Sequence, residues 1–162
     1  MNVSIVSRGE IKLVGIKVVG RRSELSHRVP LAWLELLSRV DGLPGVVDRD
    51  LFHGCVPGSD HEQPGADPVY RYWVTTEVRD LDAVTDGLQT LMIPARDYAM
   101  TPVQGTADAI NAAYSRLAAW LQAQGRRSEP AAYVLERYDQ RRQPVTPPYE
   151  RFDYELLTPL AS

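Results

Sequence analysis

A chain of 162 residues, 44% hydrophobic and 24% charged, is long enough to close a real core and is neither a disordered tail nor a membrane span. Its net charge is −3 and its lysines and arginines are scattered, the densest pairs being Arg126-Arg127 and Arg141-Arg142, so no basic face for sustained nucleic-acid binding is on offer. No apolar run nears the ~18 residues of a spanning helix, MNVSIVSRGEIK lacks the basic start and apolar core of a signal peptide, and one cysteine, Cys55, fits a reducing compartment. A cytoplasmic location is the expectation.

Residues 11–19 (IKLVGIKVV) alternate lysines with aliphatics and read as a strand. A helix follows from Pro30 to about Val40. Trp33, Leu36, Leu37 and Val40 sit at helical spacing, Pro30 suits the first turn, and Asp41-Gly42 ends it. Residues 51–56 and 69–78 (VYRYWVTTEV) are rich in β-branched and aromatic side chains and read as strands. The stretch PGSDHEQPGADP between them, residues 57–68, is a turn-rich loop. Residues 88–103 hold two extended pieces around Ile93-Pro94.

A second helix runs from about Ala107 to Gln124. Ile110, Ala113, Tyr114, Leu117, Trp120 and Leu121 form its apolar stripe, Thr106 is placed to cap it, and Gly125 stops it. Residues 131–138 and 152–157 finish the chain as strands. Strand, helix, strand, strand between residues 11 and 78 recurs between 88 and 157. That repetition of architecture predicts an α+β fold in one domain spanning 1–162, with half-units of about 1–86 and 87–162. Both helices lie on one side of a largely antiparallel sheet, and the seam between the halves is the natural place for a cleft.

The stretch YVLERYD, residues 133–139, puts a carboxylate in mid-strand. Val134, Glu136 and Tyr138 point one way and Tyr133, Leu135 and Arg137 the other, and neither face is cleanly polar. Glu136 is therefore either a solvated glutamate paired with Arg137 or Arg71, or a carboxylate on the floor of an aromatic pocket. In the second case it is costly to leave unpaired, selective for a cation, and raised in pKa. Tyr70, Tyr72 and Trp73 on one strand, Tyr98 on another and Tyr114 and Trp120 on the second helix are packing residues or the walls of a cage for an organic cation. For Trp33 and Trp120 plain core packing is the simpler reading. Trp73 shares its strand face with Glu77, and Tyr70 with Tyr72.

His53, Cys55 and His61 in HGCVPGSDH lack the paired spacing of a zinc site and read as a half-buried structural cysteine and two surface histidines. No metal or cofactor is expected. Nothing supplies a Ser-His-Asp order, an HExxH or a nucleophile elbow.

Several short motifs in order resemble the GyrI-like small-molecule-binding domain, the effector-binding module of AraC- and MerR-type multidrug regulators. They are Val14-Gly15-Ile16, Pro30 to Trp33, Tyr72-Trp73, Glu77-Val78, Ile93-Pro94-Ala95, Tyr98-Ala99, Gly105, Leu117 with Trp120-Leu121, and Leu135-Glu136-Arg137-Tyr138. The resemblance implies paired units with pseudo-twofold symmetry, an aromatic cleft between them, and Glu136 in that cleft meeting hydrophobic, cationic, often planar ligands. It further implies Trp73 as a stacking wall, with Tyr72, Tyr98, Trp120, Tyr138 and Glu77 as additional ligand-binding candidates. Regulators of this kind carry a DNA-binding domain, and no helix-turn-helix fits ahead of the first helix, so a stand-alone binding module is expected. Two other readings stay open. One is a hydrolase of reactive cyclopropane-type natural products, with Glu136 activating water and Tyr98 or Tyr138 donating. The other is a protein-interaction module such as a gyrase inhibitor, its partner unspecified.

Overall fold

The computed structural model describes residues 2–62, 65–83 and 87–162. Strands β1 (Ser4–Arg8) and β2 (Ile11–Arg21) lead into helix α1 (Arg22–Val40), followed by β3 (Leu51–Pro57) and β4 (Val69–Glu77). The second half repeats the series: β5 (Gln89–Ile93), β6 (Arg96–Gly105), α2 (Asp108–Ala123), β7 (Tyr133–Asp139) and β8 (Phe152–Pro159). The loop expected over residues 57–68 begins as a 3₁₀ turn, Gly58–Glu62, and residues 63 and 64 lie outside the described residues. The half-unit boundary expected at residue 86 lies outside them too.

Helix α1 starts eight residues before the expected Pro30, which sits inside it. Leu25 and Val29 continue the stripe of Trp33, Leu36 and Val40 backwards at helical spacing and pack on the same core. Its first turn is held by acceptors that sequence periodicity does not reveal. Glu24 reaches back to accept from the Arg21 N–H (2.9 Å), and Asp67, 44 residues away, accepts from both the N–H (2.9 Å) and the hydroxyl (2.8 Å) of Ser23. Helix α2 matches its expected span, but Thr106 does not cap it through its side chain. The cap position is Ala107, and Thr106 contributes only its carbonyl, which accepts from the Ala109 N–H (2.8 Å). Gly125, at φ 63°, turns the chain out of α2. Its N–H and that of Arg126 return to the carbonyls of Gln122 (3.2 Å) and Leu121 (2.9 Å).

The strands form one eight-stranded antiparallel sheet in the order β1-β6-β8-β7-β3-β4-β2-β5. Exchanging β1–β4 with β5–β8 reads that order backwards, so β3 and β7 meet at the centre. Each edge strand pairs with the other half: β1 with β6, β5 with β2. Strand β1 gave no clear pattern in the sequence because it is a five-residue edge strand that half-buries only Val6 and Arg8.

Both helices cover one face, α1 over β2 and β4, α2 over β6 and β8. Beneath α1 lie Val14, Val18, Trp33, Leu36, Phe52 and Val74, and beneath α2 lie Val103, Ala113, Leu117, Tyr154 and Leu156. Among the described residues no α-helix covers the opposite face, yet Leu13, Cys55, Trp73, Tyr98, Leu135 and Leu157 are buried there in a cluster that every strand joins. The sheet achieves this by curling toward that face into a half-barrel, as strongly twisted strands tend to do.

Candidate functional site

The cleft opens on the helix-covered face, at the seam of the two halves. The β3–β7 register sets Glu136 directly opposite Gly54. Pleating then sends Val134, Glu136 and Tyr138 of β7, Phe52, Gly54 and Val56 of β3, and Tyr70, Tyr72 and Val74 of β4 toward the helices. Glu136 is half-buried. The Tyr72 hydroxyl donates to its Oε1 at 2.5 Å and the Tyr138 hydroxyl to the same oxygen at 2.8 Å. Among the described residues no lysine or arginine is ion-paired with it.

Burial pushes the Glu136 carboxyl above the usual carboxylate range, while the two hydroxyls, by donating to the ionised form, pull it back down. Both tyrosines are held well above the ordinary phenol value, first by burial and then by the neighbouring carboxylate, so they remain donors. Gly54 makes this packing possible. A Cβ there would overlap the Tyr72 hydroxyl and come within 2.8 Å of Glu136 Oε1.

Two cavities meet at this carboxylate. One, of about 530 Å³, is walled by Leu25, Val29, Trp33, Tyr138, Val145 and Tyr149, among others. The second, of about 430 Å³, is walled by Val56, Tyr70, Asn111 and Tyr114. Arg22, Leu25, Tyr72, Ile110 and Glu136 line both. The aromatic side chains brace one another: Trp33 meets Tyr138 edge-on at 5.9 Å, Tyr138 lies 4.7 Å from Tyr154, and Tyr149 stacks on Phe152 at 6.4 Å. A carboxylate with no ion-pair partner among the described residues, set among aromatic faces in a cleft of this size, is chemically suited to a positively charged organic molecule.

Of the residues singled out from the sequence, Glu136, Tyr72 and Tyr138 come together here. Trp73 and Tyr98 do not: both are buried on the opposite face, in the cluster inside the curl. There Trp73 carries Lys17 6.0 Å over its ring. Glu77 shares the parity of Trp73 and lies at the far end of β4, where its backbone carbonyl accepts from Val47 (2.9 Å). Trp120 packs half-buried against the core under α2 and is absent from the cleft walls. The parity that Trp73 shares with Glu77 misled, because the wet face of β4 is the one bearing Tyr70 and Tyr72.

His53 is a correction to the expected surface histidine. It is 1% exposed, both its ring nitrogens lack hydrogen-bond partners among the described residues, and burial followed by the charges of Arg8 and Arg137 lowers its pKa to about 3. Cys55 beside it is fully buried rather than half-buried, and burial raises its thiol. The side chain of His61 lies outside the described residues. Among the described residues no three His, Cys, Asp or Glu side chains gather as a metal would require.

Sequence reasoning missed three walls. Leu25 and Val29 were lost with the early turns of α1. Trp33, taken for core alone, is buried and also presents an edge to the cleft. Val145 and Tyr149 sit in the proline-rich β7–β8 connection, which carries no periodicity to read. The Tyr149 hydroxyl donating to the Val145 carbonyl (2.8 Å) folds that connection against the cleft.

Solved structures with the same fold span nearly the whole chain. SAV2435 bound to tetraphenylphosphonium matches with a TM-score of 0.71 at 14% identity, covering 100% of this chain and 95% of that one. EcmrR in its DNA complex matches with a TM-score of 0.71 at 13% identity, over 99% of this chain and 57% of that one. A hydrolase from Listeria innocua follows with 0.58 at 12% identity, over 99% and 92%. At such identities the likeness is one of fold. No curated protein sequence matches. The family profile of the GyrI-like small molecule binding domain, however, matches residues 1–161, and the chain belongs to that family.

Proposed function

We propose that this protein binds amphipathic, cationic aromatic small molecules in the cleft between α1 and α2, with Glu136 selecting charge and Tyr72, Trp33, Tyr138 and Tyr149 supplying apolar contact. The observation that carries this reading is Glu136 itself: a half-buried carboxylate, hydrogen-bonded by two tyrosines and ion-paired with no lysine or arginine among the described residues. Tyrosine donors offset part of its desolvation and hold it ready, so an organic cation completes the site. The tetraphenylphosphonium bound by SAV2435 is a molecule of this class. The reading takes the chain as one cytoplasmic binding unit that makes no nucleic-acid contact of its own.

The test compares two ions of one shape and opposite charge. Tetraphenylphosphonium should raise the melting temperature, and at roughly 100 times its dissociation constant it adds about 2.7 kcal/mol. Tetraphenylborate should not, and Glu136→Gln should remove the difference. Equal stabilisation by both ions, unaltered in the variant, would remove the carboxylate from the site.

A second reading rests on the same geometry. A carboxylate raised by burial can take a proton from water, and the Tyr138 hydroxyl beside it can donate to developing negative charge, as a hydrolase of reactive ring compounds requires. Tyr98, on the other face, has no part in it. Mass spectrometry of a cyclopropane-bearing ligand after incubation decides: a gain of one water supports hydrolysis, and intact ligand across a panel opposes it.

A further inference from the structure

The two cavities that share Glu136 differ in chemistry. The larger, under α1, is walled by Val29, Pro30, Trp33, Val145, Tyr149 and Phe152 and offers mainly apolar surface. The smaller, toward α2, presents Asn111 and the phenols Tyr70 and Tyr114. Arg22 lines both. It is the first residue of α1, and its guanidinium has no ion-pair partner among the described residues. The nearby acid Asp67 accepts from both donors of Ser23 and interacts with Arg22 only through space, without a contact ion pair. Among its described lining residues the cleft thus holds a carboxylate, Glu136, and an exposed cation, Arg22, bordering the same volume.

Resting on the binding reading above, we infer that the preferred ligands are dipolar. An apolar ring system occupies the cavity under α1, a cationic centre meets Glu136, and a carboxylate or other strong hydrogen-bond acceptor points into the α2-side cavity toward Arg22 and Asn111. A hydrocarbon cation uses only the first two of these and leaves Arg22 facing a like charge. An acceptor arm gives the exposed Arg22 guanidinium and Asn111 amide a direct partner in place of water. Arg22 is then a specificity residue that separates amphoteric ligands from simple lipophilic cations.

Three probes test this on the whole chain by equilibrium titration: rhodamine B (a cation with a free carboxylate), its ethyl ester, and tetraphenylphosphonium. The inference expects rhodamine B to bind more tightly than its ester. Arg22→Ala should weaken rhodamine B about fivefold, the scale of an exposed charge pair, and should tighten tetraphenylphosphonium. Asn111→Leu, on an exposed position of α2, should weaken rhodamine B and leave its melting transition intact. If Glu136→Gln weakens all three probes while Arg22→Ala moves them in one direction, the dipolar preference is overturned and cation binding stands. If none of the probes binds the wild-type chain, both fall.

Discussion

Strands β3 and β7 occupy equivalent places at the centre of the sheet, pair along their whole length, and do opposite work. Where β7 carries Glu136, β3 has Gly54 directly across from it. One strand supplies the charge, and the other supplies the absence of a side chain that lets Tyr72 reach that charge. The backs of the two strands differ as well. His53 is sealed inside the curl, its nitrogens without a hydrogen-bond partner among the described residues, while its register partner Arg137 is half-exposed and bound to Glu155 (3.0 Å). A scaffold that repeats its architecture thus breaks its symmetry in its side chains, and the Gly54–Glu136 pair is the difference from which the site follows.

The comparison can be broken most severely from the β3 side. Gly54→Val should displace the Tyr72 hydroxyl and crowd Glu136, costing about 1–3 kcal/mol by overpacking and abolishing cation binding. Urea denaturation and ligand titration measure both, and full retention of binding would show that the close approach is dispensable. Glu136→Gln acts from the β7 side and keeps the shape. Cation affinity should fall about 10- to 100-fold, the scale of an interaction with a charged partner. The ligand-free protein should be no less stable, because a desolvated carboxylate has been removed.

Titration sharpens the contrast between the two strands. The folded value for Glu136 is raised, so its ionisation weakens the ligand-free fold as pH climbs from the ordinary carboxylate value of 4.5 through the folded value. Cation binding should strengthen over the same window, since the ligand meets the ionised form. Tyr138→Phe, by deleting a donor to the carboxylate, should move the binding midpoint to higher pH. His53 runs the other way: its folded value is depressed to about 3 from 6.5. The unfolded chain takes up that proton first, so stability should fall as pH drops from 6.5 toward 3. Denaturant melts of His53→Gln against wild type should show a shallower acid loss.

The smallest effect concerns the tryptophans of the two faces. Trp33→Phe should remove most of the fluorescence change on ligand binding, and Trp73→Phe should leave it in place, with little change in affinity for either. A signal that vanished with Trp73 would put the ligand on the other face.

Legibility from sequence followed the locality of the forces involved. Strands and helices with a strong period were readable, down to the Gly125 stop of α2. The start of helix α1 is not legible locally, because its first turn leans on Asp67, 44 residues beyond Ser23. Glu136 could be singled out as an oddity in YVLERYD but could not be oriented, since each face of that strand mixes polar and apolar residues. The same ambiguity misplaced Trp73 and Tyr98: an aromatic side chain reads alike on the wet and the dry face of a curled sheet.

By itself, then, the sequence determined the repeated strand–helix–strand–strand order, the covering of one sheet face by two apolar helix stripes, and the oddity of a carboxylate in mid-strand beside aromatic residues. Tertiary structure alone decided which face is the cleft, that Tyr72 and Tyr138 converge on one oxygen of Glu136, that Gly54 makes the room, and that Arg22 shares the volume. The physical reason is that periodicity encodes burial one segment at a time. Strand register, sheet curl and the meeting of side chains from four elements are fixed only when distant segments pack together.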